Sequence, residues 1–171
     1  EFLNSSSQDE ISTIIKEYGE ERHHRRIAKN ISLMSKAGKM TTTFELKEAV
    51  KRSVHPRFAT KSLARVFQAI RIHINHELDA LKEALHSSLL WLKTGGRIAI
   101  ISFHSLEDRI VKQFFKDAAV TCTCPKEFPV CICDTKPDLK ILPPRGIKAS
   151  ADEVKQNSRS RSAKLRVAER K

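Results

Sequence analysis

The stretch Gly95-Gly96-Arg97-Ile98-Ala99-Ile100-Ile101-Ser102-Phe103-His104-Ser105-Leu106-Glu107-Asp108-Arg109 decides the fold class. A glycine pair opens it, and Ile98 to Ile101 form a short apolar, β-prone run. Beyond a polar cluster, Leu106, Ile110, Val111, Phe114 and Phe115 recur at helical spacing. The change from a continuous apolar run to an i, i+4, i+5, i+8 pattern predicts a strand, a turn and a helix. Ser105, followed three residues later by Asp108, fits the N-cap pair of that helix. A strand apolar on both faces implies a sheet covered on both sides, as in α/β proteins. In such sheets ligands bind just beyond the carboxyl ends of the strands. Ser102, His104, Ser105, Glu107, Asp108 and Arg109 fall at that edge and form the best site candidate in the chain.

Towards the N-terminus four helices are expected, with no strand pattern between them. Ser7-Gln8-Asp9-Glu10 fits a capping box, Ile11, Ile14, Ile15 and Tyr18 mark one apolar face, and Gly19 ends the helix. A second helix runs from about Glu20 to Ala37 with Ile27, Ile31 and Met34 inward. Its opening Arg22-His23-His24-Arg25-Arg26 is either a phosphate contact or a solvated face. Thr42 and Glu45 open a third helix, whose apolar side is Phe44, Leu46, Ala49 and Val50. Proline lacks a donor and disfavours helix before it, so Pro56 predicts a basic loop from Ser53 to Thr60, with His55, Arg57 and nearby Lys61.

The longest helical pattern spans about Ser62 to Leu92 and bends near Asn75. Leu63, Val66, Phe67, Ile70 and Ile74 make one stripe, continued by Leu78, Leu81, Leu85, Leu89 and Leu92. Opposite it, Arg65, Gln68, Arg71 and Asn75 recur every three or four residues as a row of donors, either a solvated face or a substrate face.

After the Leu106 helix the texture changes. Cys122, Cys124, Cys131 and Cys133 form Cys-x-Cys, six residues, Cys-x-Cys. Tetrahedral zinc, disulfides and reduced thiols are all compatible with this spacing. Cys-x-Cys is rarer in zinc sites than Cys-x-x-Cys, and no histidine adjoins, so the site reading assigns no metal. Pro137, Pro143 and Pro144 keep the following segment irregular. The basic run Ser158-Arg159-Ser160-Arg161-Ser162 then leads into Lys164-Leu165-Arg166-Val167, which alternates enough for a final strand.

A chain of 171 residues is long enough for one core, or one modest core and an appendage. Its formal net charge of +12 favours a polyanionic partner. No run approaches the ~20 apolar residues that span a bilayer. No signal-peptide pattern opens the chain, which starts at Glu1 without methionine, as a piece of something longer would.

Three long motifs occur in a recognisable order. They are Phe67-Gln68-Ala69-Ile70-Arg71-Ile72-x-x-Asn75-x-Glu77-Leu78, then Gly95-Gly96-Arg97 with Ile101-Ser102-Phe103-His104-Ser105-Leu106-Glu107-Asp108-Arg109, then Asn157-Ser158-Arg159-Ser160-Arg161-Ser162-Ala163-Lys164-Leu165-Arg166. With Tyr18-Gly19-Glu20-Glu21-Arg22 and Arg25-Arg26-Ile27-Ala28, the chain resembles the MraW (RsmH) family over essentially its whole length. The resemblance implies an S-adenosylmethionine-dependent methyltransferase that modifies the N4 amine of a cytidine in small-subunit ribosomal RNA. It also implies an α/β fold, a Rossmann-like methyltransferase sheet, here truncated, with a mainly helical inserted domain. Residues 1–92 would be mainly that inserted domain, its last helix leading into the sheet, and residues 93–171 the C-terminal part of the methyltransferase domain.

From their place at the carboxyl end of the strand, Ser102, His104 and Ser105 are expected near the catalytic pocket, with His104 as proton acceptor or orienting group or else as the cap of the helix that follows. Arg71, Asn75 and Arg109 are candidates for phosphate or base contacts, the alternative being that Arg71 and Asn75 only tie the helices to the sheet and that Arg109 joins Glu107 and Asp108 in an exposed salt-bridge group; Arg159 and Arg161 are expected RNA contacts. The family's glycine-rich cofactor loop, acidic ribose-binding residue and Asp-Leu-Gly segment have no counterpart here, so no cofactor-binding residue is assigned. The expected partners are small-subunit ribosomal RNA or the ribosomal subunit, and the missing N-terminal half of the same protein, with no membrane. The expected location is the bacterial cytoplasm, or alternatively an organelle matrix or stroma. The competing function is a non-catalytic, basic RNA-binding module.

Overall fold

A computed structural model describes residues 1–122, 124, 133 and 135–171. The chain forms two compact units, Glu1–Glu77 and Leu78–Lys171.

The first unit is helical: α1 (Phe2–Ser5), α2 (Gln8–Gly19), α3 (His24–Lys36), α4 (Thr43–Ser53) and α5 (Pro56–Asn75). Ser7 caps α2 by accepting from the Glu10 amide, and Thr42 with Glu45 forms the capping box of α4. The helical spacing of apolar residues collects Ile11, Ile15, Ile27, Ile31, Leu46, Val50 and Val66 into one core. Gly19 is needed where α2 meets α5, because a Cβ there would sit 2.8 Å from the Arg65 carbonyl oxygen.

Two sequence expectations change here. Residues 53–60 are not a loop. The break is confined to Val54 and His55, and Pro56 occupies the first turn of α5, where its missing N–H costs no hydrogen bond. The pattern from Ser62 to Leu92 is not one bent helix either. His76 adopts a left-handed conformation (φ 51°), ends α5, and a separate helix α6 (Glu77–Trp91) begins at the next residue.

The second unit continues α6 with β1 (Arg97–Ser102), α7 (Ser105–Ala118), β2 (Leu139–Ile141), β3 (Ile147–Lys148), α8 (Ala151–Gln156), a 3-10 turn (Ser158–Ser162) and β4 (Lys164–Arg170). The α/β class read from the sequence is observed, with a small sheet. β4 runs antiparallel to β1 and also pairs antiparallel with β2 and β3. Gly95 (φ 81°) turns the chain into β1, and its amide donates to the Arg170 carbonyl at 2.9 Å. The core joins Leu85 of α6, Val111 and Phe115 of α7, Leu139 of β2 and Ala168 of β4, with Ile98 and Ile100 packed against it.

The expectation that β1 is covered on both faces is corrected. Side chains alternate along a strand, so Ile98 and Ile100 point into the core while Ile101 faces the other way and is 59% exposed. An antiparallel sheet tolerates one open face, whereas the parallel sheet implied by the apolar run does not.

Candidate functional site

The register Ser102↔Lys164 fixes where the site lies. Because β1 and β4 are antiparallel, the carboxyl end of β1 and the amino end of β4 coincide. The turn 103–104 into α7 and the turn 158–162 into β4 therefore leave the sheet at the same end.

Ser102, the last residue of β1, is 1% exposed, and its hydroxyl finds no hydrogen-bond partner among the described residues. A buried polar group without a partner costs free energy, so such a group calls for an explanation at a binding site. Phe103 follows, largely exposed.

His104, one residue before the expected Ser105, is the N-cap of α7. Its Nδ1 accepts from the Glu107 amide at 3.4 Å. Glu107 reaches back: Oε2 accepts from the Phe103 amide at 2.8 Å and the His104 amide at 3.3 Å, while Oε1 lies 3.4 Å from His104 Nε2. The ring is thus held by the helix that it caps. Ser105 and Arg109 are both exposed on α7.

Asp108, the expected cap partner of Ser105, turns instead to β4. Its carboxylate accepts from Arg166 Nε at 2.6 Å, Arg166 Nη2 at 3.1 Å and Lys164 Nζ at 2.9 Å. The Arg166 guanidinium beside it, followed by the Lys164 ammonium, holds the Asp108 carboxyl below the usual carboxylate range although burial pushes the other way. Lys164 and Arg166 belong to the C-terminal motif, but nothing in their spacing identifies Asp108 as their partner. Arg159 and Arg161 flank buried Ser160 in the 3-10 turn; both are exposed, and neither forms an ion pair with a described residue.

Arg71 and Asn75 lie in the first unit, at the end of α5. Both turn to Glu77: Arg71 donates through Nε at 2.8 Å and Nη2 at 2.9 Å, and Asn75 through Nδ2 at 3.1 Å. The rest of their row is occupied as well. Gln68 Nε2 donates to the Tyr18 carbonyl at 3.2 Å, and Arg65 Nη1 reaches buried Glu21 at 3.4 Å. Burial would raise the Glu21 pKa, but bonds from the His23 amide, Ser62 and Arg65 bring it below the ordinary value. Arg65 and Gln68 thus tie α5 to α2 and the turn after it.

No glycine of the chain builds a nucleoside cradle. Gly38 and Gly95 are left-handed turn residues with open space around them, and Gly19, Gly96 and Gly146 pack against neighbouring chain. These residues do not fit the role of an S-adenosylmethionine loop.

The MraW methylase family pattern matches residues 1–171. The chain belongs to the MraW methylase family. Among its relatives, the ribosomal RNA small subunit methyltransferase H of Caldicellulosiruptor saccharolyticus is 48% identical over 171 residues, covering 99% of this chain and 56% of the relative. The proteins of the same name from Syntrophotalea carbinolica and Fusobacterium nucleatum are 48% and 45% identical, with 99% of this chain covered and 55% and 54% of the relatives. The chain thus spans about half the length of the curated relatives it matches. Among the described residues no helix is long and apolar enough to cross a membrane. The motifs around Ser102–Arg109 and Asn157–Arg166 that carry the MraW resemblance are the two turns at the shared end of the sheet.

Proposed function

We propose that this chain is the RNA-facing and C-terminal part of a bacterial cytoplasmic, S-adenosylmethionine-dependent methyltransferase acting on the N4 amine of a cytidine in small-subunit ribosomal RNA. The observation that carries the reading is the site at one sheet end of the second unit. There the buried Ser102 hydroxyl, without a hydrogen-bond partner among the described residues, the His104–Glu107 cap and the exposed Arg159 and Arg161 lie together.

The lone pair of a cytosine amine is conjugated with its ring, so methylation depends on alignment of the amine and removal of its proton rather than on acid catalysis. The base must leave its stack to enter a pocket. In this reading Ser102 offers its hydroxyl to the base. His104, fixed by Glu107, orients the turn that forms the pocket wall, with Ser105 at the rim. Arg159 and Arg161 hold phosphate, as point contacts that position the RNA without reading sequence. Arg109 adds a cation on α7, and on the helical unit Arg71 and Asn75 would exchange their bonds to Glu77 for RNA. Residues 1–92 act mainly as the inserted helical domain, and the methyl donor is held by protein outside this chain. Alone, the chain is inactive in methyl transfer.

Calorimetry tests this directly. The folded chain titrated with S-adenosylmethionine is expected to give no binding heat. Mixed with the part of the C. saccharolyticus relative that lies outside the 171-residue match, it is expected to give one site. One-site binding by the chain alone would overturn the division of labour. An RNA affinity indifferent to that added part and to S-adenosylmethionine would favour the non-catalytic binding module.

A further inference from the structure

Cys122, Cys124 and Cys133 bring their sulfurs within 4.8 Å of one another. Cys131 lies outside the described residues, and nothing below depends on it. The Cys122 and Cys133 sulfurs are 3.6 Å apart. That is far beyond the ~2.05 Å of a disulfide. It is close to the edge of about 3.8 Å formed by sulfurs that each lie ~2.3 Å from a tetrahedral zinc ion.

The place of these residues in the fold gives a clip something to do. They belong to the connection between α7 and β2, where the described residues form no helix or strand. Its two ends are already joined, since the Asp138 amide donates to the Ala118 carbonyl at 2.8 Å. Asp138 is held in turn by Arg170 Nη1 at 2.5 Å and by the Lys171 amide at 3.0 Å. Ordering a connection of this length costs conformational entropy. A metal that cross-links the connection offsets that cost, as structural zinc does in small domains.

We propose that Cys122, Cys124 and Cys133 bind a zinc ion as thiolates, in a structural site that closes the α7–β2 connection. Three soft thiolates select zinc over magnesium, calcium or manganese, which prefer oxygen ligands. Each cysteine gives up its thiol proton to solvent on binding, so no oxidant or reductant is involved.

The test uses the full 171-residue chain, prepared reduced and without chelator. About one zinc per chain is expected by elemental analysis. Replacement by cobalt(II) should give sulfur-to-cobalt charge-transfer bands and the intense visible bands of a tetrahedral thiolate site. Cys124→Ser and Cys133→Ser should each weaken metal binding about tenfold or more. Should either variant fail to fold, alkylation of the unaltered chain decides: bound zinc should shield these three cysteines, and chelation should expose them. A reduced, folded chain without zinc and without cobalt bands would overturn the site. So would equal alkylation of the three cysteines with and without metal.

Discussion

Arg166 donates to Asp108 through two nitrogens, at 2.6 and 3.1 Å, across 58 residues of sequence. The pair fastens the first turn of α7 to β4, and thereby fixes the His104 turn relative to the strand that follows Arg159 and Arg161. Arg166 is 7% exposed, so its charge depends on this partner.

Asp108→Asn is therefore expected to destabilise the fold by about 3 kcal/mol, because it leaves a buried guanidinium uncompensated. Lys164→Met removes a more exposed partner of the same carboxylate and should cost under about 1 kcal/mol. Urea unfolding of the two variants checks the order. Equal, small losses would show that the Asp108–Arg166 pair does not hold the turn.

The same carboxylate shapes the acid limb of stability. Its folded pKa lies below the ordinary value, so its contribution is fully present above that value. The contribution fades as pH falls through the depressed folded pKa, in the range below about pH 4. Melting temperature should fall over that window in the unaltered chain and fall less in Asp108→Asn. Parallel curves would assign the acid limb to other groups, Glu21 first among them, whose pKa is also lowered.

His104 separates positioning from proton transfer. His104→Ala removes an N-cap and should cost about 1 kcal/mol, whereas His104→Asn supplies another capping side chain and should keep most of it. In the methyl transfer proposed for the completed protein, His104→Ala should slow the rate roughly tenfold to a hundredfold through a misplaced turn, and His104→Asn should restore most of it. Equal loss of transfer in both variants would make His104 a proton acceptor instead.

Arg159→Ala and Arg161→Ala should leave thermal stability unchanged, since both side chains are exposed and without an ion pair among the described residues. Each should weaken binding to small-subunit RNA fragments and lower the salt slope by about 1. Fluorescence anisotropy over a salt series measures both effects. An unaltered slope would remove the arginine from the RNA contact.

The helical unit was readable because its apolar spacing and its Ser7–Glu10 and Thr42–Glu45 pairs are local signals. The strand–turn–helix from Gly95 was readable for the same reason. The cap was legible in part: Ser105 with Asp108 matches the common capping pattern, and a capping role was one of the two readings open for His104, but Glu107 as its partner was not singled out. The Asp108–Arg166 pair is long-range, and no periodicity announces it. Pro56 signals either a loop or a first helical turn, and only packing of α5 against α2 and α4 selects the second. His76 breaks a helix through a left-handed backbone that residues other than glycine seldom adopt. The open face of β1 was hidden because a continuous apolar run does not say which side is covered.

The most direct measurement is nucleoside mass spectrometry of small-subunit ribosomal RNA lacking this modification. The RNA is incubated with isotope-labelled S-adenosylmethionine and this chain, completed by the part of the C. saccharolyticus relative outside the match. Labelled N4-methylcytidine is expected, dependent on both parts and absent with either one alone. Labelled N4-methylcytidine from the 171-residue chain by itself, or label on any other atom of the RNA, would contradict it.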